Sequence, residues 1–315
     1  MPATPRFPVI IGPTAGGKSA LAMALCDALR DLGRAGEIVS ADAIQIYRGL
    51  DIGSAKPTHE EQAAAPHHLI DVVEPEDAYS VHQWLAAANA AIDDIRTRNA
   101  VPIVVGGTHL YVKALLDGLF DGPGADEALR DELRAMDPAA RRAELERADP
   151  QAAARIHFND ERRTVRALEV FRLTGRPISA HQAQWDTAGP RADALLVGLE
   201  WETDAINARI NERVREMVRR GLVEEARALW EAQRFGPQSR EALGYKQLIA
   251  HFERRATQEE AIEAIKIETR RFAKNQRTWM RRLLVGPAAV AIKGDPVDTS
   301  GCVDMLVRRL CGASE

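Results

Sequence analysis

The sequence predicts an α/β fold: a P-loop NTPase-like parallel sheet flanked by helices, carrying an all-helical insertion domain. Three observations predict it. Gly12-Pro13-Thr14-Ala15-Gly16-Gly17-Lys18-Ser19 fits G-x-x-x-x-G-K-[ST], with an apolar run before it and helical spacing after it. Short β-branched runs then alternate with helical periodicities, the pattern of a parallel sheet. Between about Phe120 and Pro190 the strand signals vanish, and Ala, Arg, Glu and Leu dominate. The organisation expected is a core domain over 1–119 and 191–315, interrupted by a helical insertion over 120–190.

Phe7-Pro8-Val9-Ile10-Ile11 has the composition and length of a buried strand. After the glycine loop, Ala20, Leu21, Ala24, Leu25, Ala28 and Leu29 recur at helical spacing. Strand, loop and helix make an anion cradle. The glycines let backbone N–H groups turn inward, and the helix N-terminus adds partial positive charge. Lys18 adds a mobile full charge, and the Ser19 hydroxyl is a ligand for Mg²⁺. Gly12, Thr14, Ala15, Gly16, Gly17, Lys18 and Ser19 are thus the residues expected to hold a di- or triphosphate, without specifying ATP.

Glu37 to Ser40 reads as a second strand, and Asp42 just past its end falls on the ligand side of such a sheet. The ordinary alternative for Asp42 is a helix N-cap. Gly49 to Pro57 is loop-like. His67 and His68, being adjacent, point apart and do not share a metal ion; they read as structural or substrate-contacting. Ser80 caps a helix with Val81, Trp84, Leu85, Ala88, Ile92 and Ile95 on its apolar face. Val101 to Val105 is a third strand, ending in Gly106-Gly107-Thr108. A nucleotide hydrolase usually places Asp or Glu at such a strand end, for Mg²⁺ and the attacking water. Two glycines and a Thr weaken the ATPase reading and suit close approach of backbone and hydroxyl to a ligand. Thr108 also has the chemistry of a helix N-cap.

The second half of the insertion is basic, with Arg155, Arg162, Arg163, Arg166, Arg172 and Arg176; Arg162, Arg166 and Glu169 share a helix face. Ala194 to Leu199 resumes the sheet. Thr203 caps a helix that buries Ile206, Ile210, Val214 and Met217 and carries Arg209 and Arg213 on one face. A helix through Leu222, Ala226, Leu229 and Trp230 follows. Gly244 then sits in a helical setting, which costs about 1 kcal/mol relative to Ala. Thr257 to Glu260 is a capping box that opens a long helix. Along it lie Lys266, Arg270, Arg271, Lys274, Arg277, Arg281 and Arg282, interleaved with Phe272 and Trp279. Basic character with interleaved aromatics is a nucleic-acid footprint, although the two aromatics themselves read as core contacts. Ala288 to Ile292 is a last strand, and Val303, Leu306, Val307 and Leu310 mark a terminal helix.

Composition narrows the class. Over 315 residues, 45% apolar and 28% charged content is the profile of a soluble globular protein. A net charge of −4 requires any nucleic-acid site to be a local basic patch. Cys26, Cys302 and Cys311 are odd in number and lack zinc-ligand spacing, which suits a reduced, cytoplasmic protein. Neither a signal peptide nor a run of eighteen apolar residues is seen, so no membrane association is expected.

In order, these stretches closely resemble the tRNA dimethylallyltransferases, also called tRNA isopentenyltransferases. The resemblance rests on the glycine loop, Ser40 to Tyr47, Asp51 to Pro57, Gly106 to Tyr111, Arg162 to Val170, Gly244 to Gln247 and Thr269 to Trp279. It implies transfer of a dimethylallyl group from its diphosphate to the exocyclic amine of the adenosine 3′ to the tRNA anticodon. The glycine loop would hold the diphosphate with Mg²⁺, and ATP would not be used. By position, Asp42 would engage the acceptor amine, and Thr108 and Arg213 would serve the diphosphate. Asp42, Ala43, Ile44, Gln45, Thr108, Arg130, Arg162, Arg163, Arg166, Arg240, Gly244, Tyr245 and Lys246 would meet tRNA. A monomer is expected. Two departures stand out: His109 where the family pattern has Gly, and Asn275 where it has a base, which removes one phosphate contact. The alternatives are a transferase acting on a free adenylate, a small-molecule kinase, and a non-catalytic RNA-binding module. The arginine face and the long basic helix argue against the first, and the glycine loop against the last.

Overall fold

β1 (Phe7–Ile11) is buried along its whole length, as a strand covered on both sheet faces must be. The computed structural model describes residues 7–119, 122–183, 191–285, 289–293 and 299–311. Within the described residues β1 leads through the glycine loop into α1 (Lys18–Asp31), then β2 (Gly36–Ser40), α2 (His59–Ala64), β3 (His67–His68), α3 (Val81–Thr97), β4 (Val101–Gly106) and α4 (His109–Asp117). The helical segment holds α5 (Glu127–Ala135), α6 (Pro138–Ala148), α7 (Pro150–Arg155), α8 (Glu161–Thr174) and α9 (Ile178–Ala183). The sheet resumes with β5 (Ala194–Glu200). There follow α10 (Thr203–Arg219), α11 (Leu222–Glu231), α12 (Tyr245–Phe252), α13 (Gln258–Leu283), β6 (Ala289–Lys293) and α14 (Thr299–Cys311).

The six strands are parallel, in the order β3-β2-β4-β1-β5-β6. β1 is thus flanked by β4 and β5, and the carboxyl ends of β2, β4 and β5 open beside the glycine loop. α1 and α14 cover one face, with Leu21, Leu25 and Leu29 packed with Val303, Leu306 and Leu310. α3 and α4 cover the other through Trp84, Ile92, Tyr111 and Val112. A third cluster joins Ile46, Tyr47 and Leu50 to α11, α12 and the start of α13.

The chain divides into two compact units, Met1–Leu116 with Ala192–Glu315, and Asp117–Arg191. The limits expected for the insertion, Phe120 and Pro190, lie outside the described residues, as does Ala288 at the expected start of the last strand. In the second unit Leu133, Leu145, Val165, Leu168 and Ile178 form a core of their own. Its helices begin where acidic caps dictate. Asp137, Asp149 and Asp160 each accept a backbone N–H of the first turn, and α6 and α7 open on proline, which lacks the N–H that position would leave unpaired.

Of the two readings of the His pair the structure supports the structural one, and three other local expectations are corrected. His67 and His68 form a short edge strand; His68 Nε2 lies 2.7 Å from the Glu37 carboxylate, and His67 Nδ1 2.7 Å from the Ala65 carbonyl. Both are structural. Glu202, not Thr203, is the N-cap of α10, and the Thr203 hydroxyl instead accepts from Arg277. Gly244 is not inside a helix: it precedes α12 at φ +98°, in the left-handed region that favours glycine. Phe272 and Trp279 are not core residues; they are 43% and 37% exposed.

Candidate active site

The glycine loop takes its shape from residues that cannot carry bulk. Gly17 stands at the N-cap of α1 with φ +87°, and Ala15 is at φ +61°, a strained value for a residue with a side chain. A Cβ on Gly16 would come within 2.8 Å of the Pro13 carbonyl. Three side chains from later in the chain hold this turn. Arg209 Nε donates to the Ala15 carbonyl at 2.9 Å, and Trp201 Nε1 donates to the Gly16 carbonyl at 3.0 Å. The Thr14 N–H donates to Gln276 Oε1 at 2.7 Å. That last bond takes one loop N–H, so the donors open to an anion are those closer to the helix.

The loop forms one end of a cavity of about 500 Å³. Its other walls are Asp42, Gln45, Ser54 and Ala55, the end of β4 at Val105 to Gly107, Arg209 and Arg213 of α10, and Phe272 and Gln276 of α13. Lys18 Nζ donates to the Gly12 and Pro13 carbonyls at 3.1 and 2.9 Å. Burial, with Arg213 beside it, lowers the Lys18 pKa to about 8, against the opposing pull of Asp42. Burial likewise lowers the Arg213 pKa, again opposed by Asp42. Arg213 has no hydrogen bond or ion pair among the described residues, so Lys18 and Arg213 face the cavity with Asp42 near both, while Glu212 and Glu216 on the same wall are paired with Arg215 and Arg219. This is a receptor for an anion more highly charged than a single carboxylate.

Asp42 caps no helix. Its Oδ1 accepts the N–H groups of Ile44 at 2.8 Å and Gln45 at 3.3 Å, closing a turn over residues 43–46. Oδ2 has no partner among the described residues. The Thr108 hydroxyl accepts the Ala43 N–H at 3.0 Å, and so ties the turn after β2 to the turn after β4. Gln45 is bound by its surroundings: it accepts from Ser40 Oγ, and Nε2 donates to the Ser54 and Ala55 carbonyls.

The two glycines at the end of β4, both in the cavity wall, also answer to protein contacts. A Cβ on Gly106 would lie 2.1 Å from the Ala41 carbonyl oxygen, and one on Gly107 2.2 Å from Gln276 Nε2. They let the exits of β2 and β4 touch and let Gln276 reach the glycine loop. His109 donates from Nε2 to the Gln276 carbonyl at 3.1 Å and stacks on Trp279. Burial lowers its pKa to about 4, so the ring is neutral near pH 7.

A sequence profile of the IPP transferase family matches residues 45–283. A tRNA dimethylallyltransferase of Shouchella clausii is 45% identical over 277 residues, covering 86% of this chain and 87% of that protein. One from Rhodopirellula baltica is 41% identical over 316 residues, covering 98% and 95%. The chain belongs to the tRNA dimethylallyltransferase family. Among solved structures, the tRNA isopentenylpyrophosphate transferase of Bacillus halodurans superposes with TM-score 0.70 at 35% identity, covering 98% of both chains. A eukaryotic dimethylallyltransferase captured acting on tRNA superposes with TM-score 0.83 at 26% identity, covering 99% of this chain and 81% of its own.

The dimethylallyltransferase resemblance places Arg130, Arg162, Arg163 and Arg166 at tRNA, and the helical unit gives them unequal surroundings. Glu169 is fully buried; its carboxylate takes Arg130 Nε at 2.9 Å, Arg166 at 2.6 Å and the Asp126 N–H at 2.8 Å. Arg130 and Arg166 therefore carry structure as well as charge. Arg162 is exposed without an ion pair among the described residues, and Arg163 is exposed 3.5 Å from Asp160. In the sheet unit, Arg240 is exposed with Glu253 at 3.7 Å, and Lys246 pairs with Glu241.

Tyr245 is a correction. It is fully buried, so its side chain does not face RNA. Its hydroxyl donates to Glu225 Oε1 at 2.6 Å and accepts the Gly53 N–H. Glu225 also accepts the N–H groups of Asp51 and Ile52, so the pair anchors the loop that brings Ser54 and Ala55 to the cavity. Glu225 carried no sequence signal. Gln276 carried one: it is an amide in the buried stripe Thr269, Ala273, Gln276, Met280, where a polar side chain requires partners.

Proposed function

We propose that the chain transfers a dimethylallyl group from dimethylallyl diphosphate to the exocyclic amine of the adenosine 3′-adjacent to the anticodon in tRNA, releasing diphosphate. The observation that carries this reading is the pairing of the anion cradle with the carboxylate of Asp42, the one cavity-lining acid that no cation pairs with among the described residues. Lys18, Arg213 and the loop N–H groups face Asp42, while β4 ends in glycine and Thr108 where a hydrolase would place an acid.

In this reaction the C–O bond to the diphosphate breaks and its electron pair leaves with the phosphate. The amine lone pair forms the new C–N bond to the five-carbon fragment. Lys18, Arg213 and the N–H groups at the start of α1 meet the charge that grows on the leaving group. The electron-poor fragment needs a site from which water is excluded. Asp42, oriented through Oδ1, offers its other oxygen to the amine and takes the surplus proton. The adenine is stacked in a folded loop, so it is turned out of the stack to enter. Mg²⁺ fits as a partner of the diphosphate. Ser19 opens α1 at the cavity, and no cluster of three acidic, His or Cys side chains suited to a metal exists among the described residues. The ion would therefore be held by the Ser19 hydroxyl, phosphate oxygens and water, and would neutralise the leaving group. No described helix is long and apolar enough to cross a membrane, and we take the enzyme to work as a monomer in the cytoplasm.

The test is incubation with dimethylallyl diphosphate, Mg²⁺ and unmodified tRNA, followed by mass analysis of the nucleosides. Prenylated adenosine is expected with no ATP present. An unchanged adenosine pool refutes the reading, and prenylation of free AMP in place of tRNA would reassign the acceptor.

A further inference from the structure

Lys56 is a buried charge with no part in the transfer itself. It is 8% exposed and lies in the loop that brings Ser54 and Ala55 to the cavity. Its ammonium has three N–H donors, and three acceptors take them. Nζ donates to the Tyr47 carbonyl at 2.8 Å, to Asp71 Oδ1 at 2.6 Å and to Asp51 Oδ1. Asp51 and Asp71 pair with no other cation among the described residues. One ammonium thus ties its own loop to the turn after Asp42 and to the segment after β3, none of which is held by a helix or strand of its own.

The same three segments share further bonds. The N–H groups of Asp71 and Val72 donate to the carbonyls of Gln45 and Ile46 at 3.2 and 2.8 Å. Gln45 Nε2 donates to the Ser54 and Ala55 carbonyls at 3.3 and 3.2 Å. Ala55, Leu69 and Asp71 stand at φ +48°, +62° and +55°. Residues with side chains persist there only where their surroundings over-determine them, and such strain gathers at functional sites. We infer that Lys56 is a positioning residue for the transfer: by gathering Tyr47, Asp51 and Asp71 it fixes the turn that aims the free oxygen of Asp42 into the cavity. The inference rests on Asp42 being the proton acceptor proposed above. Without Lys56 the two carboxylates repel each other and the Tyr47 carbonyl loses its donor, so the knot opens beside the turn. The glycine loop does not depend on it, being held by Trp201, Arg209 and Gln276. Loss of Lys56 therefore falls on the chemical step and spares diphosphate binding.

The test compares the full chain with Lys56→Met, Asp42→Asn and the double variant. Lys56→Met keeps the apolar stem and removes the donors. It is expected to slow single-turnover transfer about 10²-fold at saturating substrates, the scale of a misplacement of about 1 Å, with wild-type affinity for dimethylallyl diphosphate. In the Asp42→Asn background the same change should slow transfer no further, because groups that act as a unit are non-additive. A residue that only keeps the chain folded would multiply the two losses. Hydrogen exchange reads the turn without any reaction: the Ile44 and Gln45 amides should exchange about tenfold faster in Lys56→Met. Asp71→Asn weakens the same knot while Asp51 and Tyr47 still hold the ammonium, and should give a smaller loss with the same non-additivity. It takes the place of Lys56→Met where that variant does not fold. Multiplied losses, a transfer rate within a few-fold of wild type, a matching loss of diphosphate affinity, or unchanged exchange at Ile44 and Gln45 each overturn the proposal. Absence of prenyl transfer by the wild-type chain would instead sink the reading of its function, and the exchange comparison would still decide whether Lys56 holds the turn.

Discussion

Replacing Asp42 tests the chemistry most directly, and the choice of substitution matters. Oδ1 closes the turn at residues 43–46 through two backbone N–H groups. Asp42→Ala removes both acceptor bonds, at about 0.5–1.5 kcal/mol each, so it is expected to cost about 1–3 kcal/mol of stability. Asp42→Asn keeps an oxygen for the turn and removes only the charge and the basicity, so its melting temperature should stay near wild type. A positioned general base contributes about 10²–10⁴ in rate, or roughly 3–5 kcal/mol of barrier at about 1.36 kcal/mol per decade. Asp42→Asn should therefore slow single-turnover prenyl transfer by that order. Diphosphate binding should hold or tighten, because Asp42 competes with the anion for Lys18 and Arg213. The assay is rapid-quench single turnover at saturating tRNA, with diphosphate affinity and thermal unfolding measured on the same preparations. A rate within a few-fold of wild type in Asp42→Asn, with Asp42→Ala destabilised, would make the residue a turn former and leave proton removal to the departing diphosphate.

Lys18 should give the free enzyme a basic limb. Its pKa of about 8 lies below the ordinary 10.5, so prenyl diphosphate affinity should be level below about pH 8 and fall up to about tenfold per unit above it, and Lys18→Ala should abolish the limb. Its contribution to stability runs the other way: the folded state sheds this proton first, so the cost of burying the charge is full below about pH 8 and is relieved as pH rises towards 10.5. Arg166→Ala should destabilise the helical unit, near the lower end of the about 3–5 kcal/mol lost when a buried pair is broken, because Arg130 and the Asp126 N–H still serve Glu169. Arg162→Ala should leave the melt unchanged, so the Arg162 and Arg163 pair is the clean probe of tRNA salt dependence. Tyr245→Phe should slow transfer by loosening the loop at Gly53 while tRNA affinity holds; a selective loss of tRNA affinity would return Tyr245 to the RNA-contacting residues.

The parallel sheet and the glycine loop were legible because both are local in the chain. Strand runs such as Phe7–Ile11 and Ala194–Leu199 are apolar at every position, as burial on both faces requires. Caps such as Ser80 with Gln83 and Thr257 with Glu260 announced α3 and α13 for the same reason. The family, too, was written in short ordered motifs. What the sequence could not decide was what each motif residue touches. Gly106 and Gly107 read as room for a ligand and do line the cavity, but only the structure shows that they also make room for Ala41 and Gln276. Tyr245 read as an RNA contact and is buried against Glu225, twenty residues away. Phe272 and Trp279 read as core because aromatics usually are, and only the packing of the face with Ala273, Gln276 and Met280 turned them outward. Periodicity places a residue on a helix face, but which face meets the sheet is settled by long-range packing.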